Sequence, residues 1–291
     1  MPDLGFVVRP EHPPELLPDL AREVEAAGFD ELWLWEDCFL AGGIAATGAA
    51  LAATSHIRVG LGIMPTPVRN AAFAAMEIAA LARLHPGRLL PGFGHGVTAW
   101  MRQIGAKPDS QLGLLEELVA AVRALLAGEQ VTVDGEYVRL EGVQLDHPPD
   151  DVPPVYVGVR RQRSLAASGR VADGTILSEP SSPEYLRWAL EQIAATRPHR
   201  LTVYSWCSID EDPDRARERL RPLVAERVRQ GGPQIEAVGA GADVDRLTVC
   251  GTPKMCRASI RALAEAGADS VVLVPPDASV RPAAFTAVLA A

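Results

Sequence analysis

The chain has 291 residues and a formal net charge of −9; 48% of it is hydrophobic, 22% is charged, and its four cysteines are Cys38, Cys207, Cys250 and Cys256. The acidic balance, with no long basic run, excludes a general nucleic-acid or anionic-membrane binder, because either polyanion is repelled by such a surface. Scattered cysteines exclude a disulfide framework or zinc ribbon, and no apolar run approaches the ~20 residues of a membrane span, which points to a globular protein of the reducing cytoplasm.

From the N-terminus, LGFVV (4–8) is the first short apolar run. The stretch AREVEAAGFDELWLWED (21–37) then sets a grammar that the chain repeats: a helical segment rich in Ala, a Gly or Asp turn, and a run too apolar for a one-sided sheet. It predicts a strand over 31–35, covered on both faces. The third strand, IRVGLGI (57–63), is thinned by Gly60 and Gly62 and stopped by Pro65 and Pro67. Glycine inside a strand marks a bulge or a close approach by a ligand or another backbone. RLLPGFG (88–94) is the fourth strand. A helix with apolar positions at Leu114, Leu118, Val122 and Leu125 follows, then VTVDGEYVRL, in which Asp134-Gly135 predicts a hairpin. DHPPDDVPP (146–154) leads back as a stiff connector. The strands VYVGV (155–159), GTILS (174–178), LTVYSWC (201–207) and SVVLV (270–274) complete the set, with a Gly-rich excursion at 229–256 before the last helix.

Eight strands alternating with helices predict an α/β fold in which a parallel sheet closes into a (β/α)8 TIM barrel, a single domain over residues 1–291. The helix and hairpin between strands 4 and 5 read as an insertion outside the barrel. An open doubly wound sheet is the alternative.

In such a barrel chemistry gathers where strands end and helices begin. That rule nominates Arg9 and His12, then Glu36, Asp37 and Cys38, Gly62 to Thr66, His95, Gly158 to Arg163, Glu179, Trp206 and Pro275. Adjacent strand residues face opposite ways, so of Glu36 and Asp37 one faces the mouth and the other supports a loop. His95 stands between glycines in GFGHG as a ligand or proton carrier; the other five histidines read as surface. Arg160, Arg161 and Arg163 surround a predicted helix start near Ser164, where cations oppose the helix dipole and so ask for an anion. No GxGxxG, P-loop, GxSxG, CxxC or HExxH motif occurs, and no histidine pair has metal-ligand spacing. Trp33, Trp35, Trp100 and Trp206 read as core or pocket wall, suited to a flat heterocycle.

Together, GFDELWLWEDCF, VGLGIMPTPVRNAAFAAMEIAALARLHPGRLLPGFGHG and GRVADGTIL resemble the bacterial luciferase-like monooxygenase superfamily, most closely its branch that depends on the deazaflavin coenzyme F420. The resemblance spans nearly the whole chain and is most specific over 59–96. It implies an oxidoreductase that passes a hydride between F420 and a small organic substrate, with an FMN-dependent monooxygenase or a catalytically silent flavin-binding protein as alternatives. It also implies a cis peptide bond between Gly62 and Ile63 in a bulge, running on to Met64, that backs the deazaflavin ring. Asp37 matches an aspartate that bonds the ring's polar edge, while Cys38 stands where the family has a histidine. That departure passes the proton-handling role to His95, and next to Glu179. Gly158, Val159, Arg160, Arg161 and Arg163 match a loop that holds the coenzyme's phosphate. Finally, the resemblance implies a homodimer.

Overall fold

The first helix–strand unit shows how local chemistry builds the fold. Helix α1 (Leu17–Ala27) buries Leu17, Leu20, Ala21 and Val24 at helical spacing and ends at Gly28, whose φ of 92° is open only to a residue without a Cβ. The chain then enters β2 (Glu31–Leu34), buried at every residue, as expected of a strand covered by helices outside and side chains inside. A computed structural model, which describes residues 1–289, shows further strands and helices along the chain. The strands are β1 (Asp3–Val7), β3 (Arg58–Pro65), β4 (Leu89–Gly94), β5 (Val131–Asp134), β6 (Arg139–Val143), β7 (Tyr156–Gly158), β8 (Gly174–Leu177), β9 (Arg200–Ile209), β10 (Val249–Gly251) and β11 (Ser270–Val274). The helices are α2 (Gly43–Ala53), α3 (Ala71–Leu84), α4 (Thr98–Gln103), α5 (Gln111–Leu126), α6 (Gln162–Val171), α7 (Pro183–Ile193), α8 (Pro213–Gln230), α9 (Pro233–Val238), α10 (Val244–Leu247) and α11 (Pro253–Glu265).

Parallel pairing runs β9-β11-β1-β2-β3-β4-β7-β8 and returns from β8 to β9, so eight strands close into a barrel. This is the predicted fold, not the open sheet. All eight expected barrel strands form. The excursion at 229–256 is more structured than its glycines imply: it carries α9, α10 and β10, the last pairing with the far end of β9. The hairpin β5–β6 forms as well, but its turn spans residues 135–138, since Asp134 pairs with Arg139. A carboxylate replaces turn chemistry here, for Glu117 of α5 accepts the N–H groups of Glu136, Tyr137 and Val138 at 3.2, 2.8 and 2.8 Å. Among the described residues no helix is long and apolar enough to cross a membrane.

The barrel interior explains one of the two strand glycines. Trp33 is fully buried at its centre, and a Cβ on Gly60 would sit 2.2 Å from the indole ring. The close approach at Gly60 is therefore by a side chain of this chain. The indole N–H donates to Glu31 at 2.7 Å; Ser270 donates to the same carboxylate at 2.6 Å, and Arg58 and Arg200 approach it at 3.2 and 3.5 Å. Both arginines also reach Asp3 at 2.6 Å, closing the end of the barrel where the strands begin. His199 lies at this end, half-buried with Nε2 2.7 Å from the Thr175 hydroxyl, rather than on the surface as expected.

Candidate active site

At the opposite end the strand ends surround a cavity of about 1030 Å3. Its floor is the β3 bulge. Pairing with β4 passes from Gly62–Gly92 directly to Met64–Phe93, leaving Ile63 as the extra residue, and the Gly62–Ile63 peptide bond is cis. The bulge carbonyls are both satisfied by this chain: Tyr204 Oη donates to Gly62 at 3.3 Å and the Glu36 N–H donates to Ile63 at 3.3 Å. Ile63 projects between neighbouring strands. A Cβ on Gly158 would stand 2.3 Å from Ile63 Cγ2, and one on Gly94 would stand 2.9 Å from Ile63 Cγ1. At Gly62 a Cβ would meet Tyr204 Oη at 2.7 Å. The glycines of three adjacent strands thus clear an apolar shelf.

Met64 does not line the cavity. It is fully buried in the core between the barrel and its helices, because the bulge spends one residue on Ile63 and the next returns to the outer face. Its expected contact with a cofactor is corrected accordingly. Cys38 also lies off the cavity wall. Burial, with the Asp37 and Glu36 carboxylates beside it, pushes its thiol above the ordinary range, which leaves a protonated and unreactive sulfur.

Glu36 and Asp37 divide their work as their positions predict, although both reach the cavity. Glu36 Oε1 accepts from the Gly43 N–H at 2.7 Å and from Arg69 at 2.6 Å, pinning the start of α2. Asp37 accepts from Trp35 Nε1 at 2.8 Å. Burial raises the Asp37 carboxyl, and Glu11 adds to the shift against the Trp35 hydrogen bond and Arg9. Across the mouth Glu179 is raised too, first by burial and further by Asp37, with Arg227 and Arg9 opposing. Its backbone carbonyl is held by Arg227 at 2.8 Å.

The loop after β7, next to Glu179 in the strand order, is cationic. Arg160, Arg161 and Arg163 line the cavity with Gly158 and Val159, and α6 opens at Gln162 with no side chain capping its first amides. Tyr185 Oη holds the loop by donating to the Arg160 carbonyl at 2.9 Å. His95 bridges this side to the insertion: Nδ1 is 3.2 Å from the Gln111 carbonyl and Nε2 is 3.0 Å from the Ser164 hydroxyl. Burial holds its imidazole below the ordinary value, partly offset by the Gln111 bond. Both ring nitrogens are engaged, so His95 is not a free proton carrier in this arrangement.

Two wall residues, Gln111 and Tyr204, lie outside the strand-end rule. Gln111, at the start of the inserted α5, shows that this insertion is not wholly outside the barrel mouth. Tyr204 rises from the middle of β9, where alternation could have found it beside Trp206; Trp206 itself is buried away from the cavity. Of the remaining tryptophans, Trp35 and Trp100 line the wall and Trp33 does not. Among the described residues no cluster of His, Cys, Asp and Glu could hold a metal ion.

The chain as a whole has counterparts among known proteins. Residues 5–270 match the family described as luciferase-like monooxygenase. The chain belongs to that family. Over 94% of each chain it is 29% identical to a 5,10-methylenetetrahydromethanopterin reductase of Methanolobus tindarius. It is 28% identical to an F420-dependent glucose-6-phosphate dehydrogenase of Kineococcus radiotolerans, covering 75% of this chain and 71% of that one. The coenzyme F420 dependent tetrahydromethanopterin reductase structure from Methanopyrus kandleri superposes with a TM-score of 0.83 at 22% identity, covering 99% and 97% of the two chains. The fold is thus shared with that reductase over nearly the full length of both chains.

Proposed function

We propose that this luciferase-like protein is an F420-dependent oxidoreductase of one domain, acting on a small organic substrate. The observation that carries the reading is the make-up of the cavity: arginines in the loop after β7, a glycine-cleared apolar shelf as floor, and two carboxyls raised by burial, Asp37 after β2 and Glu179 across the mouth after β8. A flat heterocycle with a polar edge and a phosphate-bearing tail matches these parts. The relatives named as F420-dependent support that assignment over FMN.

The residues present fit the group. Gly62 and Ile63 form the shelf for the ring; a Cβ at Gly62, Gly94 or Gly158 would intrude on the side chains that shape it. Asp37 bonds the ring's polar edge, and Gly158, Val159, Arg160, Arg161 and Arg163 with the first amides of α6 receive the phosphate. When bound, the deazaflavin supplies the hydride chemistry. The chain excludes water with Trp35, Trp100 and Tyr204, orients the substrate over the shelf, and sets the carboxyls of Glu179 and Asp37, both raised by burial, in the cavity as groups able to pass a proton. Fluorescence titration with F420 and, separately, FMN tests the reading: tight F420 binding with weak FMN binding is expected, and the reverse order overturns it.

We further propose a homodimer that works in the cytoplasm. Four free cysteines fit a reducing compartment. Phe73 and Met76 of α3 are exposed on an apolar face that suits a second copy of the chain.

A further inference from the structure

His95, Ser164 and Gln111 form a chain of hydrogen bonds with a direction. The Gln111 backbone carbonyl has no proton to give, so Nδ1 of His95 carries the hydrogen in their 3.2 Å contact. In the neutral ring Nε2 is then bare, and the bond of 3.0 Å to Ser164 is donated by the hydroxyl. That leaves Ser164 with its only proton turned to the ring and its lone pairs turned to the cavity, beside Arg160, Arg161 and Arg163. Such a hydroxyl repels an anion. A second proton on His95 reverses the bond: Nε2–H donates to Ser164 Oγ, and the hydroxyl hydrogen is free to point into the cavity. Gln111 also fixes the backbone from which the ring projects, since its side-chain amide donates to the His95 carbonyl at 3.3 Å.

We infer that His95 is a positioning residue for the bound anion, acting through Ser164: it takes up one proton as the anion binds, and the Ser164 hydroxyl changes from donor to the ring into donor to the anion. This rests on the coenzyme-phosphate reading above for the identity of the ligand, but not for the switch itself. Burial keeps His95 neutral before binding. The charged groups that share the cavity with it are Asp109 from the segment before α5, Arg160, Arg161 and Arg163 before and within α6, Glu179 after β8, and Glu36 and Asp37 after β2. The arginines oppose protonation until an anion neutralises them, so anion binding and proton uptake reinforce each other. Linkage then sets the sign: affinity falls as pH rises between the pKa of His95 in the free protein and its value in the complex.

The test compares F420 affinity of wild type, Ser164→Ala and His95→Gln from about pH 5.5 to 8 by fluorescence, with the His95 ring followed by NMR while sulfate, which does not titrate there, is added. Any titration of the coenzyme itself is common to all three proteins. Wild type is expected to lose affinity more steeply with pH than either variant, by up to about tenfold per pH unit. Sulfate is expected to raise the His95 pKa, and by less than half as much in Ser164→Ala, where only through-space attraction remains. Equal pH slopes in wild type and Ser164→Ala overturn the inference, as does an equal sulfate effect. If F420 binds at no pH, the coenzyme reading falls and the sulfate titration alone decides the switch.

Discussion

At the scale of single residues, the cavity depends on atoms that are missing. Gly158 is the sharpest case, because an added methyl would meet Ile63 Cγ2 at 2.3 Å. The neighbour is the branch of a side chain at the cavity edge, so Ile63 can rotate into the open space and spare the core. Gly158→Ala is therefore expected to bind F420 at least about tenfold more weakly while its melting temperature moves by only a few degrees; calorimetry and fluorescence titration separate the two effects. Glu179 makes the opposite kind of prediction, in which binding is secondary. Its carboxyl lies above its ordinary 4.5 in the folded protein, so its contribution to stability is fully present below that value and is lost as pH rises through the folded value. Glu179→Gln has no such loss. Its melting temperature relative to wild type is expected to climb as pH rises above 4.5, by about 2 °C for each kcal/mol removed, and a flat difference across that window contradicts the raised carboxyl.

At the scale of elements, β3 shows how two glycines two residues apart do different work. Gly60 faces Trp33, whose ring is fixed by its bond to Glu31, so nothing there can yield. Gly60→Ala is expected to cost about 1–3 kcal/mol as overpacking, read as a lower urea midpoint at an unchanged slope. From sequence, Gly60 and Gly62 gave the same signal, and only the register of the closed barrel separates them. The barrel strands were legible where the units around them carry a pattern: β2 runs Leu-Trp-Leu after Glu31, is buried at every residue and follows a helix stopped by Gly28. β10 has three residues and no period, and its pairing with β9 is a tertiary fact. The site divides the same way. Strand-end residues such as Asp37, His95 and Glu179 follow from the barrel rule and do line the cavity. Met64 misled because a bulge resets alternation after it, and the partners of His95 lie 16 and 69 residues away, beyond any local pattern.

At the scale of the whole molecule, the surface is uneven in a way that one copy does not explain. Phe73 and Met76 are 66% and 52% exposed, and Leu84 continues their stripe along α3. Helix α2 lies beside it, where a Cβ on Gly48 would stand 3.4 Å from Leu81 Cδ2, and turns only alanines outward at Ala45, Ala49 and Ala52. A stripe of large apolar side chains next to a stripe of small ones is self-complementary: rotated by a two-fold axis, the bulk of one copy meets the shallow face of the other. Monomers seldom leave such a patch uncovered. Among the described residues none of α2 or α3 lines the barrel mouth, so the proposed pairing leaves that cavity open in each copy. Replacing Phe73 and Met76 together by Glu places two like charges from each copy in the contact, where burial without partners is prohibitive. Sedimentation at micromolar concentration is expected to give twice the chain mass of 31.0 kDa for wild type and 31.0 kDa for the double variant, with F420 affinity retained. A wild type that sediments as a monomer removes the pairing, and a double variant that stays dimeric moves it to another face.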